Sequence, residues 1–196
     1  QLQKRFFIEA AEFEKPIIYP FTKIEPHNFS KYLADSVYHY TETIIPTHSI
    51  PSKVFGGFKK ACHNLYKFDS KAEKDFAAIL EQDQEVLRWL RPAQAQFHLY
   101  WKHNSQRYTP DFIVETADYL HMVEIKAENE IHDEDVREKA LVGKEYCDAV
   151  SEHNEKNGGK KWVYVLIPHN SVNLNMSFER LAEDSMYLMG RHTSKK

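Results

Sequence analysis

Cysteine is scarce in this chain. Cys62 and Cys147 lie far apart and in no CxxC pattern, so neither a disulfide framework nor a zinc-binding knuckle is expected. Two buried free thiols in a reducing, cytoplasmic setting fit them best. No apolar run approaches the roughly 18–20 residues that span a bilayer, so no membrane partner is expected. The opening residues, QLQKRFFIEA, lack the long apolar core of a signal peptide, and the absence of an initial Met reads as a piece cut from a longer protein. Repeats, low-complexity tracts and a G-x-x-x-x-G-K-[ST] phosphate loop are all missing. The eleven histidines form no HxxxH or Cys/His cluster, and His63, His121 and His132 are read as structural or exposed. Excess positive charge is also lacking. Lys and Arg number 26 against 29 Asp and Glu, a net charge of −3, so an unusually basic nucleic-acid binder is not indicated. Local basic patches matter more than the sum: Lys59 with Lys60, Arg88 with Arg91, Lys102 with Arg107, Lys160 with Lys161.

What is present points to a folded chain. Apolar residues make up 42% and aromatics 13% of 196 residues, enough for one domain with an extension or two small domains. Residues 1–67 are interrupted by Pro16, Pro20, Pro26, Pro46 and Pro51. They read as short stretches at Phe6–Ala10 and Pro16–Tyr19, a helix near Ser30–Tyr40, and a turn at Gly56–Gly57. From Phe68 the signal sharpens. Ser70 and Glu73 fit a capping box, and Phe76, Ala77 and Leu80 form one helical face. A second helical turn is expected at Glu85–Leu90, before Pro92. Gln94–Trp101, Tyr108–Glu115 and Tyr119–Lys126 read as three strands. Asp133–Asn154 reads as a helix, with Val136, Ala140, Gly143, Cys147 and Val150 on one stripe and Gly158–Gly159 after its end. Trp162–Ile167 is a continuous apolar run, expected as a strand buried on both faces. The expected class is α/β, a mixed β-sheet flanked by helices in the order α-β-β-β-α-β. The expected division is an N-terminal extension at 1–53, a core at 54–170, and a tail at 171–196 holding a short helix and a disordered end.

Carboxylates and one lysine carry the chemistry. If Ala117–Asp118 is a two-residue turn, Thr116 faces Tyr119 and Asp111 faces Glu124, their Cβ atoms roughly 5 Å apart. Like charges there need a cation between them, and Mg²⁺ accepts one or two protein carboxylates plus water. Glu124 and Lys126 share a strand face, with Val123 and Ile125 on the other. Pro110 marks either a bulge that aims Asp111 or a plain strand start at Phe112. Glu73 lies on the apolar stripe of its helix, where a carboxylate needs a partner: the capping bond or a second metal contact.

The segments SKAEKDFAAILE, VLRWLRPA, YTPDFIVET and VEIKAENE, with Glu73, Pro110-Asp111 and Glu124-x-Lys126 in this order, resemble the PD-(D/E)xK nuclease superfamily. More narrowly they resemble the C-terminal endonuclease region of type III restriction-enzyme helicase subunits and related helicase–nuclease proteins, over about residues 54–168. The resemblance implies a restriction-endonuclease-like core and a metal-dependent DNA endonuclease. Asp111, Glu124 and the Ile125 carbonyl then hold Mg²⁺ (Mn²⁺ substituting), Glu73 supports the metal, and Lys126 stabilises the reacting groups. Lys139 is the expected phosphate contact, and Lys102 with Arg107, from the local basic patch, are further expected nucleic-acid contacts. DNA and an ATP-dependent helicase or translocase, on the parent chain or a partner, are the implied partners. The rivals are a structure-specific nuclease such as a junction resolvase, and a catalytically silent nuclease fold used for DNA binding or docking.

Overall fold

The computed structural model describes residues 36–93, 96–101 and 106–193, and side chains up to Ser185. The stretches expected at Phe6–Ala10 and Pro16–Tyr19 lie outside the described residues. The chain is mixed α/β. Strand β1 (Val37–His39) pairs in parallel with β2 (Val54–Gly56). Of the helix expected near Ser30–Tyr40, residues 30–35 lie outside the described residues, and Val37–His39 is strand instead, where aromatic and β-branched side chains pair along an extended backbone. Helix α1 (Lys71–Gln82) follows, then β3 (Arg88–Leu90), β4 (Leu99–Trp101), β5 (Gln106–Tyr108), β6 (Phe112–Glu115) and β7 (Tyr119–Lys126). Helix α2 (Glu134–Asn157), β8 (Lys161–Pro168) and helix α3 (Phe178–Thr193) complete the order.

The central sheet has the strand order β3-β6-β7-β8, antiparallel up to β7 and parallel between β7 and β8. Two expectations change here. Glu85–Leu90 is not a helical turn: Arg88–Leu90 is the first strand of the meander. Trp89 decides this, because an extended backbone drives its ring into the core beside Phe58, Tyr66 and Phe112. The region read as one strand over Gln94–Trp101 is strand only at Leu99–Trp101, and it pairs with β5 in a separate hairpin. Gln94 and Ala95 lie outside the described residues.

Local signals account for the helices. Ser70 Oγ accepts the Glu73 N–H at 3.1 Å, an N-cap of the kind that contributes about 1 kcal/mol. The Glu73 carboxylate returns to the Asp69 N–H at 2.9 Å, closing the start of α1. Helix α2 ends at Gly158, which takes a left-handed φ of 73° without the cost a Cβ would bring. Period-two alternation then gives the sheet two apolar faces. Phe112, Val114, Val123, Ile125, Val165 and Ile167 pack against α1 and the first turns of α3. Ile113, Met122, Tyr164 and Leu166 pack against Val136, Tyr146, Cys147 and Val150 of α2 and the β4–β5 hairpin.

Residues on both flanks of the central sheet add to the core. Ile44 and Ile50, upstream of residue 54, lie in the first apolar cluster. Downstream of 170 the helix is longer than the short one expected, and Phe178, Leu181 and Ala182 are buried in that cluster. Ser185 Oγ accepts the Leu166 N–H and Ser151 Oγ the Trp162 N–H, each at 2.8 Å, so serines from two helices satisfy the outer side of edge strand β8. Cys147 is buried as expected, whereas Cys62 is exposed: its loop is strapped to β3 by backbone bonds while its side chain faces out.

Gly143 marks where α2 crosses the sheet most closely. A Cβ there would lie 2.5 Å from Cδ2 and Cε2 of the buried Tyr164 ring. Gly143→Ala gains about 1 kcal/mol of helix propensity but introduces an overpacking cost of about 1–3 kcal/mol. We expect a net loss of stability, read as a lower denaturation midpoint in urea. An unchanged or raised midpoint would show that α2 can lift without cost.

Candidate active site

The β6–β7 turn sets the site. The Thr116 N–H bonds to the Tyr119 carbonyl at 3.0 Å, and the ladder runs Phe112↔Val123 to Glu115↔Leu120. This register, continued one step, puts Asp111 opposite Glu124. Asp111 lies just before the strand start at Phe112, with Pro110 buried behind it. Its Oδ2 accepts the Ile125 N–H at 2.8 Å. A strand residue's N–H and C=O point to the same side, so the Ile125 carbonyl faces the Asp111 edge too.

Glu124 is only 3% exposed. Its Oε1 lies 2.7 Å from Lys126 Nζ, and its Oε2 accepts the Tyr108 hydroxyl at 2.9 Å. Burial raises the affinity of Glu124 for a proton, with Lys126 opposing that trend. Asp111 is raised to about 7 by burial first and by the Glu124 charge second. For Lys126, burial acts downward, but the charge and hydrogen bond of Glu124 outweigh it and the ammonium is held above its usual range.

Glu73 reaches this end of the sheet but is engaged. Besides Asp69, its Oε2 faces Arg91 Nη1 at 2.7 Å, a close ion contact without hydrogen-bond alignment. Burial raises its proton affinity, Arg91 lowers it, and Asp111 adds to the rise, so the Asp111 charge is felt at Glu73. Of the two readings open for Glu73, a bond back to the helix start is present, accepted from the Asp69 N–H one residue before the Ser70 N-cap. Arg91 is a site residue that sequence reasoning treated only as part of a surface patch. It hydrogen-bonds Asp69 at 2.6 Å and lies over the faces of Phe68 and Phe112, at 5.9 and 5.7 Å. Only a fold that stacks these two aromatics exposes its role. Tyr108 was read as a plain strand residue, although its place three residues before Asp111 was the available signal.

The other predicted residues divide. Lys139 on α2 is half-buried with Nζ 4.6 Å from the Trp101 ring, and its charge is felt at Glu124. Arg107 is exposed over Tyr100 at 5.9 Å. Alternation along β5 turns it away from the side on which Tyr108 meets Glu124. Lys102 lies outside the described residues. The basic patches are largely consumed by pairing: Arg88 and Lys160 both bind Glu115, at 3.0 and 2.8 Å, and Lys60 binds the Asp83 carbonyl. His121 packs edge-on against Phe178 at 4.9 Å, on the sheet face opposite Glu124.

Among the described residues no three His, Cys, Asp or Glu side chains form a metal cage, and no helix is long and apolar enough to cross a membrane. A hard cation such as Mg²⁺ does not require a cage, since it takes one or two carboxylates and keeps its waters. Two repelling, desolvated carboxylates beside a strand carbonyl fit that requirement.

The raised carboxylates dictate a pH dependence. Asp111, Glu124 and Glu73 bind protons more tightly in the folded chain than in the unfolded one. The stability each contributes is fully present below the unfolded carboxylate range and is lost as pH rises through its folded pKa, about 7 for Asp111. In EDTA, moving from about pH 5.5 to about pH 8 should lower the melting temperature, and Asp111→Asn should flatten that fall. Equal slopes in both proteins would show that Asp111 is not so perturbed. In comparisons with family models, curated proteins and solved structures, nothing matches this chain.

Proposed function

We propose that this chain is a metal-dependent DNA endonuclease of the PD-(D/E)xK type, and that α1, β3, β6, β7, α2 and β8 form a restriction-endonuclease-like core. The observation that carries this reading is the convergence of Asp111, Glu124 and Lys126 at one end of the central sheet. There Asp111, whose proton affinity is raised to about 7, lies opposite a buried glutamate whose Oε1 meets the Lys126 ammonium at 2.7 Å. A purely structural pair of carboxylates would be expected to collect donors until their lone pairs were satisfied. Glu81 on α1 does so, accepting the N–H groups of Lys59, Lys60 and Ala61 and the Trp89 indole. Among the described residues Asp111 accepts a single such bond, from the backbone, which leaves it capacity to bind an ion.

In this reading Asp111, Glu124 and the Ile125 carbonyl hold Mg²⁺, with Mn²⁺ as a substitute. The ion, when bound, lowers the pKa of water and offsets charge on the phosphate. Lys126 supplies a fixed positive charge beside the attacking water and the scissile phosphate, where preorganised electrostatics act most strongly. Lys139, propped by Trp101, provides a phosphate contact from α2. Arg91 and Glu73 hold the charge balance behind Asp111. The motor that delivers DNA is an ATP-dependent helicase or translocase, on the parent chain or a partner, in the cytoplasm.

Nicking of supercoiled plasmid tests the proposal. Activity is expected with Mg²⁺ or Mn²⁺ and not in EDTA, while Ca²⁺ supports binding without turnover. Lys126→Ala should lower turnover by about 10²–10³-fold while the chain stays folded; it opens no core cavity, but it leaves the buried Glu124 carboxylate without its cation, so a lower melting temperature above neutral pH is expected. Asp111→Ala should instead weaken metal affinity measured by calorimetry. Nicking by Lys126→Ala within a few-fold of the wild-type rate would remove Lys126 from the mechanism; full activity in EDTA would remove the metal.

A further inference from the structure

Glu124 is gripped by two unlike donors. Lys126 holds Oε1 through a flexible stem, and Tyr108 holds Oε2 through a rigid, buried ring. A carboxylate turns easily about its last torsion, whose wells are broad, so donors on both oxygens are needed to set its plane. Tyr108 is suited to this. It ends β5, pairs with Leu99 across the hairpin, and is packed in the apolar cluster that includes Phe97, Trp101 and Tyr146. Three residues later Asp111 accepts the Ile125 N–H. The segment from 108 to 111 is therefore stapled to β7 at two successive residues, Glu124 by the phenol and Ile125 by its amide.

We infer that Tyr108 is a positioning residue, whose hydroxyl sets the plane of the Glu124 carboxylate and ties the β4–β5 hairpin to the end of the sheet that holds Asp111 and Lys126. Tyr164 serves as its control. The Tyr164 hydroxyl lies 3.5 Å from the Tyr108 hydroxyl, at the outer limit of a hydrogen bond. Removing it leaves the bond to Glu124 in place. The orientation of Glu124 stands independently of the nuclease reading, whereas its effect on turnover rests on that reading.

The test compares Tyr108→Phe and Tyr164→Phe in the full chain. Phe keeps the ring, so both should remain folded, checked by melting temperature. The side-chain carboxyl ¹³C resonance of Glu124, assigned by its loss in Glu124→Gln, should move in Tyr108→Phe and stay in Tyr164→Phe. Plasmid nicking should lose about ten-fold in kcat with KM within about two-fold for Tyr108→Phe, the scale of one hydrogen bond to a charged group. Tyr164→Phe should nick within about two-fold of wild type. An unmoved Glu124 resonance in Tyr108→Phe overturns the proposal, as does an equal shift in Tyr164→Phe. If the wild-type chain does not nick DNA with Mg²⁺, the nuclease reading fails, and the ¹³C resonance alone decides the role of Tyr108.

Discussion

The register between β6 and β7 is the constraint on which the rest of the structure depends. Side chains alternate along a strand, so a slip of one residue would exchange the two faces of β7 and turn Glu124 and Lys126 toward α1. Ala117–Asp118 is not a strong turn sequence, and the chain compensates with charge. Glu115, at the last ladder position of β6, is gripped by Arg88 from β3 and by Lys160, just before β8. Lys160 also donates to the Thr116 carbonyl at 2.6 Å. Arg88 and Lys160 thus pin the hairpin at its closed end. The Ile125 amide, bonded to Asp111, pins it at the open end.

Electrostatics at the open end run against folding rather than for it. Asp111, Glu124 and Glu73 all have raised proton affinities because burial removes water from charged groups faster than neighbours replace it. Two cations offset part of this, Lys126 from the same strand as Glu124 and Arg91 from the end of β3. Arg91 is itself held by Asp69 and two aromatic faces, so its charge cannot swing away into solvent. Glu81 differs: its carboxylate is saturated by N–H donors from one loop and one indole, whereas Asp111 accepts one backbone bond among the described residues.

The two faces of the sheet divide the labour. The face under α1 and α3 is a continuous aromatic and aliphatic core reaching from Ile44 to Ala182. The face under α2 carries Met122, then Glu124, then Lys126 along one side of β7, so it passes from apolar to charged within one strand. Gly143 lets α2 lie low over Tyr164 in the apolar part. Further along the same helix, toward its start, Lys139 rests on Trp101 beside the charged part. One helix therefore closes the core and borders the candidate site.

Much of this was legible in local pattern. The cap and stripe of α1, the stripe and terminal glycine of α2, the apolar run of β8 and the alternation of β7 are near-neighbour effects, and they emerge from the residues themselves. So does the pairing of Asp111 with Glu124, because a hairpin's register follows from its turn. Tertiary contacts decided what those patterns left open. Glu85–Leu90 reads equally as helix or strand until Trp89 is given an aromatic pocket assembled from distant segments. Leu99–Trp101 has the composition of a sheet strand, yet it pairs within its own hairpin because β3 already occupies the edge of β6. Arg91 and Tyr108 escaped notice for the same reason. A buried guanidinium or phenol acquires its role from partners tens of residues away, and periodicity within a segment carries no record of them.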